Sequence, residues 1–93
     1  MAFLLKDPLA ALDYAVDWRT EYLDGDSIAE SNWDIVPKEI GGVTIAGSAV
    51  DDGIATVTAA GGVAGHIYQL TNHVAFASGL TDSRSVVLRV EKR

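Results

Sequence analysis

His66 and His73 are the only histidines in this chain, and no cysteine accompanies them. Two imidazoles can act as general bases or ligate a metal, but they cannot build a three-histidine zinc site. They stand seven positions apart on one extended segment, where period-two alternation sends them to opposite faces. The spacing therefore predicts one exposed and one partly buried histidine, with no shared metal. The absence of cysteine excludes disulfides, thiolate metal sites and cysteine nucleophiles. Asp24-Gly25-Asp26 and Asp51-Asp52-Gly53 carry oxygen ligands of the kind calcium takes, yet neither has the remaining ligands or a closing Glu at the required spacing. Both read as turns. Gly61-Gly62-Val63-Ala64-Gly65 has the glycines of a phosphate-cradling loop, but no Lys-Ser or Lys-Thr follows and no helix begins there, so it reads as a bend between strands. Catalysis needs convergent groups in a pocket, and the titratable residues here are scattered over turns. No catalytic residue, cofactor or metal site is assigned, and the chain does not read as an enzyme.

The elements that would position these residues are strands. Alternation with period two recurs, whereas a helical period fits poorly after residue 13. Leu12, Tyr14, Val16 and Trp18 fall on one face, with Asp13 and Asp17 on the other. A turn at 24–26 leads into a strand over 28–36, which Pro37 ends. Val43 and Ile45 begin a strand that reverses at Asp51-Asp52-Gly53 into 54–60, a hairpin. Beyond the glycine-rich corner, Tyr68, Leu70, Asn72, Val74 and Phe76 point one way and Gln69, Thr71, His73 and Ala75 the other. A last strand over 84–90 turns Val86, Leu88 and Val90 inward. Six strands, with a possible seventh before Leu12, predict an all-β, immunoglobulin-like antiparallel β-sandwich without its disulfide. Tyr68 matches the tyrosine that bonds to backbone at a corner of such domains. Residues 1–11 read as an N-terminal arm, extended or with one helical turn after Pro8, and 12–93 as the single domain.

Composition narrows the partners. The chain has 93 residues, thirteen acids against seven bases, and a net charge of −6. That balance opposes a phosphate backbone, so nucleic acid is set aside. The apolar start is too short for a signal-peptide core or a membrane span, which predicts a protein kept in the cytoplasm or carried out within something larger. Residues 1–26 hold six acids and two bases, residues 27–83 six and one, and residues 84–93 one acid and four bases. An acidic beginning and a basic end can pair within the chain or between neighbours. Trp18 is expected at the edge of the core and Trp33 inside it. Tyr22, in a polar loop, is the better interface candidate, and Asp7, Pro8, Asp17, Trp18, Asp24 and Asp26 complete the expected set.

Three blocks carry a resemblance. The first comprises Lys6-Asp7-Pro8, Leu12-Asp13-Tyr14, Asp17-Trp18 and Leu23-Asp24-Gly25-Asp26, with Ile28 and Trp33. The others are Gly61-Gly62-x-x-Gly65-x-x-Tyr68-x-Leu70-Thr71-Asn72 and Gly79-x-Thr81-Asp82-x-Arg84-Ser85. Together they resemble small tailed-phage virion structural proteins of the fibre-tail adaptor type. The chain departs from that pattern between Pro37 and Asp51, which is rich in Gly, Ala and Ile, and at Ala59-Ala60. The resemblance implies a noncatalytic module of the tail or neck, in multiple copies, joining a fibre or neighbouring component to the tail. The implied partners are other virion proteins (tail, fibre, portal-neck or major capsid protein), met within the virion after assembly in the host cytoplasm. The alternatives are a capsid decoration protein clamping major-capsid subunits and, from other classes, a carbohydrate-binding sandwich or a small hydrolase.

Overall fold

The computed structural model describes residues 2–19 and 26–92. Their strands are β1 (Ala2–Lys6), β2 (Ala11–Asp17), β3 (Ile28–Val36), β4 (Val43–Asp51), β5 (Ile54–Gly61), β6 (Ile67–Phe76) and β7 (Thr81–Val90). They form a four-stranded sheet, β1-β7-β6-β3, packed on a three-stranded one, β2-β5-β4. This is an immunoglobulin-like sandwich. Every pairing is antiparallel except that of β1 with β7, which is parallel. No helix among the described residues is long and apolar enough to cross a membrane.

The first residues differ from the expected arm. Ala2–Lys6 is a sheet strand with Leu4 beside Leu88 and Lys6 beside Val90. Lys6 is completely buried, and its ammonium donates to Asp7 O at 2.9 Å and to Gly61 O at 2.6 Å, linking β1 to the other sheet. Burial lowers its pKa, and the neighbouring Asp7 charge opposes that shift. After Pro8 there is a turn, closed by Ala10 N–H on Asp7 O.

The core follows the alternation read from the sequence. Tyr14, Ile35, Val43, Val57, Ala59, Tyr68, Leu70, Val86, Leu88 and Val90 form one cluster. Val16, Trp18, Ala55, Val74 and Phe76 form the second, and Trp33 packs against both. The two tryptophans exchange their expected places: Trp18 is fully enclosed, while Trp33 is only partly buried. Trp18 meets Phe76 edge to face, with centroids 6.0 Å apart, and Arg84 lies 4.7 Å above its ring. Both histidines are exposed, and His66 precedes β6, so the alternation argument does not reach it.

The corner before β6 has the bond expected of Tyr68. Val63 N–H donates to its hydroxyl oxygen at 3.0 Å, and that hydroxyl donates in turn to Glu39 Oε1. His66 Nδ1 stands 2.8 Å from the same carboxylate oxygen. Gly62 lies at φ +120, where a Cβ would come within 2.6 Å of the Val90 side chain. Only glycine fits this close approach without strain.

Candidate interaction surface

The strand directions give the molecule, 43 × 20 × 20 Å, two chemically different ends. At one end β1, β3, β5 and β7 finish while β2, β4 and β6 begin. Six of the ten exposed large apolar residues among the described ones lie there, namely Leu5, Leu9, Leu12, Val36, Ile40 and Ile67. Leu9 is 94% exposed and Ile40 fully so. Both sit in connections, where no strand partner can cover them. Exposed apolar side chains gathered in one region make this end a candidate contact surface.

The opposite end is acidic. Asp17, Asp26, Asp51, Asp52 and Asp82 lie there against Arg19 and Arg84. Arg19 grips Asp17 through two bonds, Nε to Oδ1 at 3.0 Å and Nη2 to Oδ2 at 2.8 Å, and reaches Asp52 at 3.5 Å. These bonds hold the Asp17 carboxyl down at about 2. Asp26 accepts from Ser78 Oγ at 2.6 Å and from the Ser27 and Ser78 N–H groups, so it ties the β2–β3 connection to the β6–β7 turn. Those bonds lower its pKa as well. No group of three or more His, Asp or Glu among the described residues is placed to hold a metal ion.

The expected interface residues do not converge. Asp7 and Pro8 are half-buried at the apolar end, while Asp17 and Asp26 lie at the acidic end. The seven residues of β2 separate the two groups, a span of about 20 Å. Trp18 leaves the set, because a side chain with no exposed surface cannot meet a partner. Tyr22 and Asp24 lie outside the described residues. The basic end of the chain partly pairs at home, since Arg84 Nη1 donates to Asp17 O at 3.4 Å and Arg89 bonds Glu91 at 2.7 Å.

A third surface was not anticipated. Between the free edges of β3 and β4 runs a groove of about 290 Å³, lined by Trp33, Ile35, Val43 and Ile45 with Asp34, Lys38 and Glu39 beside them. The Trp33 indole N–H is buried and has no hydrogen-bond partner among the described residues. Ile45, Ser48 and Val50 stand opposite Ala59, Val57 and Ala55 of β5. Residues directly opposite share a face, so these three belong to the core side of their sheet. Exposure nevertheless rises along that side, from 3% at Val43 to 36% at Ile45 and 43% at Val50. The register shift between Ile45 and Gly47 marks a bulge in β4, after which its pairing with β5 resumes to Asp51.

Comparison with known proteins agrees with this architecture. The PKD domain from KIAA 1837 protein, known from a solution structure, is similar over 99% of this chain and 80% of its own, with a TM-score of 0.51 and 20% identity. At that identity the likeness describes the fold alone. No curated protein matches the chain. The family model described as Podophage GP4 fiber-tail adaptor protein gp77 matches residues 6–89. That match takes in all three sequence blocks and every strand from β2 to β6, and the chain belongs to this fiber-tail adaptor family.

Proposed function

We propose that this protein is a noncatalytic virion adaptor that joins two different components of the phage tail through protein–protein contacts at its two ends. The carrying observation is the contrast between those ends, one exposing Leu9, Ile40, Val36 and Ile67 and the other Asp51 and Asp52. A single sticky patch would serve one partner. Two surfaces of different chemistry, separated by the long axis, serve two.

The apolar end suits a permanent seat on the tail, because lasting interfaces are the more apolar ones. The acidic end suits a basic surface on the fibre or a neighbouring component, where complementary charge guides docking. Association also supplies burial that a domain of this size lacks alone. A standard interface covers about 800 Å² per partner.

Quantitative mass spectrometry of purified particles tests the reading against the capsid alternative. A tail adaptor is expected at about six or twelve copies, set by tail symmetry. Copies in the hundreds, tracking the major capsid protein, would transfer the role to capsid decoration. Absence from the particle would overturn both.

A further inference from the structure

We infer that the open side between β3 and β4 receives an extended segment of a partner protein, which pairs with the free edge of β3 and extends the four-stranded sheet by one strand. The inference rests on the adaptor reading only in drawing that partner from the virion.

Three observations meet here. First, among the described strands β3 ends its sheet, so one of its edges carries backbone N–H and C=O groups with no neighbouring strand. Second, Ile45, Ser48 and Val50 are on the core side of β4 yet exposed, because among the described residues only the edge strand β3 stands across β4, with the groove left open between them. A strand added to β3 would lie over that side and cover Trp33 and Ile45 together. Third, β4 from Val43 to Val50 has no charged residue and no proline to repel an incoming chain. A partly exposed tryptophan, an apolar facing strand and an unpaired edge are the parts that strand addition uses.

The occupant is set by the faces it must satisfy. Glu30, Asn32 and Asp34 of β3 stand opposite Ala75, His73 and Thr71 of β6, on the outer side of the sheet, whereas Trp33 and Ile35 stand opposite the buried Asn72 and Leu70. An incoming strand therefore places alternate side chains beside Glu30 and beside Asp34, which also meets Lys38 at 3.7 Å and accepts from Ile35 N–H at 3.1 Å, and the others against Trp33, Ile45 and Val50. The fitting segment is extended, with apolar residues alternating with Lys, Arg or polar ones. Cross-strand pairs of opposite charge stabilise such an arrangement by a few tenths of a kcal/mol to about 1 kcal/mol each.

The chain has no cysteine, so Ser48→Cys creates a unique attachment point at an exposed position. The variant, carrying a photoactivatable maleimide, is assembled into particles and irradiated, and the cross-linked peptide is sequenced. In parallel, hydrogen–deuterium exchange compares residues 28–36 in free protein and in particles. The expected result is a cross-link to a segment of another virion protein with the alternating apolar and basic or polar pattern, and exchange over 28–36 slowed at least ~10-fold by the new ladder. Unchanged exchange in particles that contain the protein would overturn strand addition and leave the adaptor reading intact. A cross-link to a second copy of this chain, or to a helical or uniformly acidic segment, would overturn the occupant. Absence of the protein from particles would overturn the adaptor reading, and the inference with it.

Discussion

Trp18 donates its indole N–H to Asn72 Oδ1 at 2.9 Å, tying the end of β2 in one sheet to the middle of β6 in the other. In antibody domains the corresponding second and sixth strands are joined by a disulfide. Here a buried amide takes that place, and its nitrogen donates to Ser31 Oγ at 2.8 Å and to Asn32 O at 3.1 Å. One side chain thus holds β2, β3 and β6 together. A buried polar group stabilises only when its partners are all present.

Asn72→Leu removes those three bonds, including the Oδ1 acceptor of the Trp18 N–H. The expected loss is about 2–3 kcal/mol, read as a fall in Tm of roughly 10–20 °C for a domain of this size. Trp18→Phe is expected to cost a similar amount, and the double variant less than the two together, since both break one network. Strict additivity in thermal unfolding would contradict the coupling.

Tyr68→Phe tests the corner. The variant keeps the ring in the core but strips the Val63 N–H of its acceptor and Glu39 of one of its two partners. A loss of about 1–2 kcal/mol is expected, with exchange at the Val63 amide rising relative to the wild type. An unchanged midpoint in urea would remove the corner from the account of stability.

Gly62→Ala meets two obstacles at once, a φ of +120 and the Val90 methyl groups. Strain of about 1–3 kcal/mol is expected from the backbone alone. Gly65 also has a positive φ, but nothing lies within 4 Å of its Cβ position, so Gly65→Ala should cost less. Equal unfolding midpoints for the two variants would contradict the close approach.

Acid should loosen the two ends. Hydrogen bonds from Arg19 bring the Asp17 carboxyl to about 2, bonds from Ser78 and Ser27 lower that of Asp26, and bonds from Tyr68 and His66 lower that of Glu39. A carboxyl depressed on folding adds stability that is present above its unfolded pKa of about 4 and is lost as pH falls through its folded value. Tm is therefore expected to hold through neutral pH and to decline from about pH 4 toward pH 2. Asp26→Asn should lower Tm at pH 7 and flatten that decline. A variant with the wild-type pH profile would show that the Asp26–Ser78 tie is not formed in solution.

The alternation of the sequence carried the strand pattern well. The run from Tyr68 to Phe76 enters the core on the residues expected, and the strand over 28–36, closed by Pro37, and the reversal at Asp52-Gly53 stand where expected, while most of the turn expected at 24–26 lies outside the described residues. Trp18 was harder to place because charged residues flank it. Asp17 and Arg19 satisfy each other on the outside, which leaves the indole between them free to turn inward. The openness around Trp33 depends on the course of β4 after its bulge, a relation between strands distant in sequence. The role of Glu39 was illegible for the same reason, since its partners Tyr68 and His66 lie more than 25 positions along the chain. Asn72, a polar residue in register with core positions, was the one visible sign of a buried network.

The two-ended adaptor is tested most directly by changing each end separately and analysing the composition of assembled particles. Leu9→Asp with Ile40→Asp places charge on the apolar end, and Asp51→Lys with Asp52→Lys reverses the acidic one, all at exposed positions. The account predicts that the first variant is lost from the tail, while the second remains on the tail but carries no fibre or neighbouring component. Wild-type particles from both variants, or loss of the same single contact from both, would contradict an adaptor that works through its two ends.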